Sequence, residues 1–362
     1  MKNNNPKISV FIPVYNGEKY LANTINSVIN QTYDNWELII LDDESTDNSK
    51  KIIEEYASKN NKIKSFSKLN DGNSNVALNM SIMYNYADGE YGFYMSQDDT
   101  IDSNCLQILM ERALELDADV VIPNMLLKYG NDKFDKWNCS YPPNNDYNQI
   151  LNGKEAFYLV IDFSINGFAL IRMNLLKDKR CDTRYYDSDE YNTRMQYLWA
   201  NKVAFADTNF YYYQGNPEAI THKFSIRRFQ RFNTGVMLYN SYTKVFNDKK
   251  HIEKLMGQLM RIYIDSTVLL YLNIDKLNNC QIQEVKTLFK NFENTISFSN
   301  YKLSSLKVLK IYYEFIFAII FFLLGSTMYT VKLYTCMRKI RNLLIKNKQK
   351  LKNNQLLFIL LK

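Results

Sequence analysis

Short apolar runs alternate with amphipathic stretches along the first 122 residues of the chain. The runs have the length of buried strands, and they are Ile8 to Val14, Trp36 to Leu41, Ile63 to Phe66, Tyr91 to Met95 and Val120 to Ile122. Between them, apolar residues recur at the three- and four-residue spacing of helices, around Ile25, Ile53, Met80 and Leu109. This alternation predicts an α/β fold, with a mostly parallel sheet covered by helices on both faces.

Polar side chains stand directly after three of these runs: Tyr15 and Asn16, Asp42 and Asp43, and Asp98 and Asp99. The carboxyl ends of parallel strands meet at one edge of a sheet, and open α/β sheets bind their ligands at that edge. Two adjacent carboxylates repel each other, and a divalent cation that carries a diphosphate would neutralise them. The pattern therefore predicts a nucleotide diphosphate together with Mn²⁺ or Mg²⁺ at this edge of the sheet.

Simpler roles are open for the same acidic residues. The Asp98 and Asp99 pair could form a solvated turn, because surface turns are rich in aspartate. Asp43 could serve only as the cap of the following helix, a role that Ser45 or Asp47 could equally fill. The two adjacent carboxylates therefore predict a ligand site only in combination with the polar residues after the other strands.

Three other classes of nucleotide-binding fold are disfavoured by the turn after the first strand. The turn from Tyr15 to Glu18 lacks the glycine spacing of a dinucleotide-binding fold and that of a P-loop. It also lacks the glycine-rich loop with a basic residue that a nucleotidyltransferase needs. The sheet therefore uses a different kind of nucleotide contact.

The residues at these turns resemble the family 2 glycosyltransferases, which have the Rossmann-like GT-A fold. The resemblance is carried by four ordered motifs, which are Ile8 to Asn16, Ser27 to Thr32, Leu41 to Asp47 and Gln97 to Asp99. It implies a nucleotide-sugar donor, usually a UDP-sugar, with Pro13 and Tyr15 around the base and Asp43 hydrogen-bonded to it. Asp98 would face the ribose and Asp99 would ligate the metal, while Asn16 and Asp42 complete the donor-binding set.

Two positions depart from the family pattern. Gln97 stands where the first aspartate of the usual D-x-D motif is found, and Leu78 stands where the arginine of an Ala-Arg-Asn motif is found. The loss of that arginine weakens any inference about how the donor phosphate or sugar is held. These departures leave open an inactive nucleotide-sugar-binding module or paralogue as the alternative function.

The general base is expected in the acidic segment from Tyr185 to Met195. Apolar residues at helical spacing predict a helix that begins near Asp187. Asp187 as the cap and Glu190 three residues later would form a pair like a capping box, which leaves Asp189 as the predicted base. In the family, the base lies about six residues before an arginine, and Ser188 holds that place here, so the choice among Asp187, Asp189 and Glu190 stays open.

A strand from Phe205 to Gln214 leads into a second candidate segment. His222, one of two histidines in the chain, follows it. The segment resembles the family's loop whose histidine closes on the metal or the diphosphate, although a lone histidine is more often a surface or packing residue. His222 is therefore a candidate metal ligand, with Lys223 as a neighbour of the phosphate.

Helical patterns replace the alternation after residue 224, and the end of the chain is apolar and basic. We expect three parts: a GT-A domain in residues 1–224, a helical appendage in 225–305 and a membrane-associating tail in 306–362. Residues 315–331 carry no charge, and nine basic residues and no acidic ones follow. The whole-chain charge of +7 therefore becomes about −2 for residues 1–331. A buried helix or a dimer contact is the alternative for the apolar run.

Cysteine spacing and the amino terminus bear on the compartment. The five cysteines are scattered singly, which argues against disulfides and a zinc site and indicates a reducing cytoplasm. The first residues lack the pattern of a secretory signal.

We expect an inverting, metal-dependent hexosyltransferase on the cytoplasmic face of a bacterial membrane, which acts on a lipid-linked or polymeric glycan for surface polysaccharide. No nucleic-acid partner is expected, and oligomerisation is left open.

Overall fold

The computed structural model describes residues 5–70, 75–130, 133–177, 181–217, 219 and 223–296. The chain divides into two compact units, Met1–Val245 and Phe246–Lys362. The predicted tail in residues 306–362 and the candidate ligand His222 lie outside the described residues. Among those residues, no helix combines the length and the apolar character needed to cross a bilayer.

The strands belong to the first unit. They are β1 (Ile8–Val14), β2 (Trp36–Asp42), β3 (Ile63–Ser67), β4 (Tyr91–Tyr94), β5 (Thr100–Ile101), β6 (Val120–Tyr129), β7 (Lys133–Lys136), β8 (Leu170–Arg172) and β9 (Val203–Tyr213). Within the described residues they form one sheet in the order β3-β2-β1-β4-β8-β6-β9-β5, and β7 pairs with β6.

Ten α-helices are described, the first eight of them in the first unit. They are α1 (Leu21–Ile29), α2 (Ser49–Lys59), α3 (Val76–Tyr84), α4 (Cys105–Leu116), α5 (Gly153–Val160), α6 (Met173–Leu176), α7 (Ser188–Trp199), α8 (Arg231–Val245), α9 (Lys249–Asn273) and α10 (Asn279–Thr295). Short 3-10 helices lie at Pro143–Asn145, Ile226–Gln230 and Ile274–Lys276.

The amino-terminal half of the sheet follows the predicted pattern. Strands β3, β2, β1 and β4 are all parallel neighbours, and β2 is buried along its whole length, as a strand covered on both faces must be. The predicted α/β alternation is therefore confirmed. The parallel pairing brings the carboxyl ends of β2, β1 and β4 to one edge of the sheet.

The other half of the sheet is mixed. Strand β8 is antiparallel to both of its neighbours, β4 and β6, whereas β6 and β9 are parallel to each other. Strand β8 has three residues, so its apolar pattern is too short to be recognised in the sequence. It joins the parallel strands β3, β2, β1 and β4 to the half of the sheet that contains β6, β9 and β5.

Helix α8 belongs to the first unit, although the sequence analysis placed the end of that domain at residue 224. Tyr242 on α8 is fully buried, and its ring lies 5.3 Å from the ring of Phe157 on α5. Thr234 donates a hydrogen bond of 2.9 Å to Asp187, just before α7. These contacts are made across long sequence separations, which a local pattern does not reveal.

Helices α9 and α10 account for the described part of the second unit. The ring of Tyr263 on α9 meets Phe289 of α10 edge to face at 5.4 Å, and its hydroxyl donates to Glu293. Asn278 and Gln281 form a capping box at the start of α10. The prediction of a helical region after residue 224 is confirmed for the described residues.

Candidate active site

The turn after β1 is held by side chains from two other turns. Gln97 forms a pair of hydrogen bonds with the backbone of Tyr15: its Oε1 accepts from the Tyr15 amide at 2.8 Å, and its Nε2 donates to the Tyr15 carbonyl at 3.0 Å. The amide of Asn16 donates to Ser45 at 3.0 Å. Asn16 has a φ of 51°, a region that asparagine enters more readily than most residues. The Tyr15 side chain stays 49% exposed, beside Pro13 at the end of β1.

The second pair of carboxylates lies at the end of β2, and both are buried. Asp43 forms an ion pair with Lys68 at 2.6 Å and accepts a hydrogen bond from Asn79 at 3.1 Å. Asp42 accepts a hydrogen bond from the amide of Ser45 at 3.2 Å. Helix α2 begins at Ser49, so Asp43 is not its cap. Capping alone therefore does not explain why Asp43 stands at this edge.

The third pair follows β4. Asp99 is fully buried, and its two oxygens accept hydrogen bonds from the amides of Ser96 at 3.1 Å and Tyr213 at 2.9 Å. Asp98 is half-buried and accepts a hydrogen bond of 2.8 Å from Asn216. Burial, and then the charge of Asp98, raise the pKa of Asp99 well above its usual value, and burial also raises the pKa of Asp98. The pair therefore carries the electrostatic strain that a cation would relieve.

The acidic segment starts α7 as predicted, but the predicted capping pair is wrong. Asp187 occupies the cap position without donating or accepting a side-chain cap hydrogen bond, and its carboxylate accepts from Thr234 instead. Glu190 pairs with Arg194 one turn later, at 2.5 Å. The contact with Thr234 comes from α8, which explains why the spacing of the acidic residues alone gave the wrong partner. Asp189 remains, as the sequence suggested, outside both of these pairs.

Asp189 has the electrostatics of a group that can exchange protons near neutral pH. Burial, and then the negative charges of Glu190 and Asp187, raise its pKa to about 7. Burial also raises the pKa of Asp187 to about 6, against the hydrogen bond from Thr234 and the charge of Arg231. Carboxyl groups with raised pKa values are typical of catalytic acids and bases.

A cavity of about 510 Å³ opens beside this segment, and Asp189 and Glu190 line it while Asp187 does not. Its walls are mostly apolar and aromatic, with a few polar groups such as Asn166 and Gln214. This combination is typical of sites that bind small molecules. Of the three acidic candidates, Asp189 thus has both access to the cavity and a pKa near 7.

Two tyrosines of this cavity link the acidic segment to the aspartates after β4. Tyr94 lies within the electrostatic reach of both Asp189 and Asp99, and these negative charges add to burial in raising its pKa. The pKa of Tyr212 is raised by burial and by the charges of Asp98, Asp99 and Glu190. The acidic segment and the aspartates after β4 therefore both act electrostatically on tyrosines that line the cavity.

The donor atoms for a divalent cation are only partly in place. In the described part of the chain, no three His, Cys, Asp or Glu residues come together as a metal cluster. Both oxygens of Asp99 already accept backbone hydrogen bonds, whereas Asp98 is half-buried and has a side-chain partner in Asn216. Both carboxylates thus already accept hydrogen bonds, and Asp98 is the more accessible of the two.

Four residues that hold the site together were not assigned a role from the sequence. They are Gln97, Lys68, Asn79 and Asn216, whose partners are Tyr15, Asp43 and Asp98. Gln97 stands within a motif that carries the family resemblance, and Asn79 directly follows Leu78 in the segment compared with the family's Ala-Arg-Asn motif, so their positions were a usable signal. Lys68 and Asn216 meet their partners across turns and carry no local pattern.

Comparison with known proteins shows the family of the chain. Residues 9–180 match the family model described as Glycosyl transferase family 2. Glycosyltransferase GlyG of Streptococcus pneumoniae is 31% identical over 225 residues, which cover 59% of this chain and 72% of that protein. The GalNAc(5)-diNAcBac-PP-undecaprenol beta-1,3-glucosyltransferase of Campylobacter jejuni is 27% identical over 57% of this chain and 62% of its own length.

Solved structures show the same fold at lower sequence identity. TarS 1–349 of S. aureus in complex with UDP-GlcNAc superposes with a TM-score of 0.62 at 17% identity, over 91% of this chain and 89% of that one. The mannosyltransferase PcManGT of Pyrobaculum calidifontis, in complex with GDP-Man and Mn²⁺, gives 0.50 at 13% identity, over 84% and 87%. The chain is a member of the family 2 glycosyltransferases, and its first unit has the GT-A fold.

Proposed function

We propose that this glycosyltransferase moves a hexose, with inversion, from a UDP-sugar to a hydroxyl group of a lipid-linked or polymeric glycan. The observation that carries the proposal is that Asp189 lines the cavity with a pKa near 7, and that the charges of both Asp189 and Asp99 raise the pKa of Tyr94, which lines the same cavity. The site thus joins a donor edge to a group that can accept a proton.

The donor edge suits a nucleotide base and ribose. The exposed ring of Tyr15 can lie against a base while Gln97 holds its backbone in place. Asp43 offers a buried carboxylate to a base N–H, and Lys68 and Asn79 fix its position. UDP and UDP-GlcNAc are bound by the structurally similar TarS, which supports uridine as the base.

The chemical step follows from the position of Asp189. Asp189 takes the proton of the acceptor hydroxyl, and the oxygen attacks the anomeric carbon from the face opposite the leaving group. The bond to the diphosphate breaks, and the nucleotide diphosphate leaves. One displacement of this kind inverts the configuration at the anomeric carbon. The neighbouring charges of Glu190 and Asp187 make Asp189 a stronger base than an isolated carboxylate.

In this proposal, Asp98 is the residue that holds a divalent cation. Mn²⁺ or Mg²⁺ held there would supply positive charge to the diphosphate as it departs. Asp99 would then support the turn from behind, through the amides of Ser96 and Tyr213. The Mn²⁺ complex of PcManGT supports metal dependence. His222 remains a candidate ligand from the sequence alone.

A bacterial envelope polysaccharide is the proposed setting. The Campylobacter jejuni relative is named for an undecaprenol-linked acceptor, which supports a lipid-linked glycan as the acceptor here. The apolar run at residues 315–331 and the basic residues after it support attachment to the cytoplasmic face of the membrane.

The deciding experiment is a screen of nucleotide sugars for metal-dependent release of the free nucleotide. We expect release from one UDP-sugar, faster with Mn²⁺ or Mg²⁺ than with EDTA, and a product of inverted configuration by NMR. Binding of UDP without release from any sugar would favour the inactive paralogue instead. A retained configuration would rule out the single displacement by Asp189.

A further inference from the structure

Four aromatic and charged side chains, Trp137, Phe163, Arg194 and Glu190, contact one another in series along the cavity wall and are here called the ladder. Trp137 stacks on Phe163 with ring centroids 5.8 Å apart and planes 20° apart. The guanidinium of Arg194 lies over the same Phe163 ring at 4.8 Å and pairs with Glu190 at 2.5 Å. All four residues line the cavity. The proposed mechanism uses only the charge of Glu190 and assigns no role to the other three.

Trp137 is an exposed indole on a rigid support. It remains 46% exposed although Phe163 stacks against it. The turn that follows is pinned, because the Trp137 amide donates to the Ser140 hydroxyl at 2.7 Å and the Ser140 amide donates to the Trp137 carbonyl at 3.1 Å. Cys139 and Ser140 are buried beneath it. A large exposed ring held this firmly loses little entropy when a ligand stacks on it.

The centre of the ladder is strained. Phe163 has a φ of 59°, a region that costs a bulky residue of order 1–3 kcal/mol. Trp137 and Arg194 both contact its ring. Backbone strain of this kind is concentrated at ligand sites. Phe163, the strained residue, contacts both Trp137 and Arg194 and lines the cavity.

Arg194 offers a hydrogen bond to a ligand. It is 5% exposed, and its Nε has no acceptor within the described residues. Leaving a buried N–H without an acceptor is costly, and a hydroxyl group of a ligand in the cavity would supply one. The carboxylate of Glu190, which is half exposed, lies beside it. The cavity therefore presents an aromatic face together with a donor and an acceptor.

We propose that this ladder, made of Trp137, Phe163, Arg194 and Glu190, is the subsite for a pyranose ring of the acceptor glycan. A pyranose presents C–H groups on its face and hydroxyls around its edge. Its face would lie on Trp137, and its hydroxyls would bond to Arg194 and Glu190. An acyl chain or an isoprenoid has no acceptor for the Arg194 Nε–H and would desolvate the half-exposed Glu190 carboxylate, so the sugar rather than the lipid is the occupant.

The topology separates this subsite from the donor. Trp137 follows β7, which pairs with β6, whereas the donor edge lies at the ends of β2, β1 and β4. Strand β8 lies between β4 and β6 in the sheet. The inference rests on the proposed function, since the acceptor hydroxyl must reach Asp189, which lines the same cavity.

Acceptor kinetics of the full-length protein test the subsite. Methyl β-glycosides of glucose, galactose, N-acetylglucosamine and N-acetylgalactosamine serve as acceptors, with the nucleotide sugar found in the screen. Trp137→Ala should raise the KM for the accepted glycoside about tenfold, with a change in kcat of less than about threefold. Trp137→Phe should recover most of that loss, because it keeps an aromatic face.

Phe134→Ala is the matched control. Phe134 is 43% exposed on β7, close in sequence to Trp137, and it does not line the cavity. Its variant should keep the wild-type KM. An unchanged KM in Trp137→Ala, or an equal rise in Phe134→Ala, would overturn the subsite. A rise in the KM for the nucleotide sugar in Trp137→Ala, with the glycoside KM unchanged, would assign the ring to the donor and equally overturn it.

Glycoside binding separates this inference from the proposed function. The glycosides should quench the tryptophan fluorescence of the wild-type protein, and Trp137→Phe should remove the quenching while Trp36→Phe keeps it, since Trp36 is 5% exposed. If no nucleotide sugar is turned over, this binding still tests the subsite. Turnover with the quenching unchanged in Trp137→Phe and the glycoside KM unchanged in Trp137→Ala would remove the subsite and leave the function intact.

Discussion

Among the described residues, Asp189 lines the cavity without an ion pair or side-chain hydrogen bond such as those that Glu190 and Asp187 make. Asp189→Asn should lower kcat by roughly a hundredfold or more, because the amide cannot take a proton from the acceptor. The dissociation constant for UDP should stay within about threefold. Asp187→Asn is the matched control, since Asp187 does not line the cavity. A larger loss of kcat in Asp187→Asn or Glu190→Gln than in Asp189→Asn would move the base to that residue.

The raised pKa of Asp189 also sets a pH dependence. The base acts when deprotonated, so kcat should rise with pH and level off above about 7. The free energy of unfolding should change in the opposite direction and fall as pH rises. The folded pKa is above the ordinary value near 4, so the native state binds the extra proton and becomes less stable as pH rises from about 4 to about 7.

The same variant separates these two effects. Asp189→Asn should be more stable than wild type at pH 8, by on the order of 2 kcal/mol after an allowance for solvent screening, and nearly equal to it at pH 4. Urea unfolding at both pH values measures the difference. Equal stabilities at pH 8 would mean that Asp189 is not destabilised by burial and by its neighbours.

Asp98 and Asp99 are adjacent but have different surroundings. Asp98→Asn should weaken Mn²⁺-dependent UDP binding by roughly tenfold or more with little loss of stability, because it removes the half-buried charge. Asp99→Asn should lower the free energy of unfolding by about 1–3 kcal/mol, because an amide nitrogen would face a backbone N–H. Calorimetry of UDP binding and thermal unfolding distinguish the two. Loss of metal-dependent binding in a stable Asp99→Asn protein would favour the ligand implied by the family resemblance.

At the level of elements, helix α5 and helix α7 meet without space for a side chain. A Cβ at Gly153, the first residue of α5, would lie 2.3 Å from the carbonyl oxygen of Leu198 and 2.5 Å from that of Ala200. Gly153→Ala should therefore destabilise the protein by about 2 kcal/mol or more and displace α7, which carries Asp189. The midpoint of thermal unfolding and kcat should therefore both be lower than in the wild-type protein.

Gly257 gives the comparison for this substitution. It lies inside α9, and a Cβ there would meet nothing within 4 Å. Gly257→Ala should raise stability by about 0.5–1 kcal/mol, as expected for alanine in a helix. If Gly153→Ala were as stable as Gly257→Ala, the close approach of α5 and α7 would not constrain α7.

The sequence allowed the donor half of the fold to be predicted because its signals are local. Apolar strands, amphipathic helices and the polar turns at residues 15, 43 and 98 can be read from neighbouring residues. Strand β8 could not be read, since it has three residues and is defined by antiparallel pairing with β4 and β6. The capping pair at α7 was wrong for a related reason, since Thr234 comes from a helix 47 residues later.

At the level of the whole molecule, charge and apolar character are unevenly distributed. Residues 315–331 are uncharged and nine basic residues follow, against about −2 for residues 1–331. Removal of residues 311–362 should move the protein from the membrane fraction to the supernatant, with turnover of a small soluble acceptor largely retained, because the proposed site lies before residue 224. Flotation with anionic vesicles measures this.

A matched variant separates the electrostatic contribution of the tail to membrane binding from its apolar contribution. Exchange of Lys346, Lys348, Lys350 and Lys352 for glutamine should weaken binding to anionic vesicles in low salt and leave the apolar contribution. High salt should detach the full-length protein only in part. Full-length protein that stays in solution without detergent and does not bind anionic vesicles would contradict membrane association.

Strand β9 lies between β6 and β5 in the sheet, and helix α4 packs against it. While the chain is being made on a ribosome, β6 and α4 emerge about 80 residues before β9 does. During that interval an open strand edge and the apolar face of α4 have no native partner. The growing chain is therefore most exposed to misassociation just before residue 213 leaves the exit tunnel, and a chaperone that binds nascent chains would be most useful at that point.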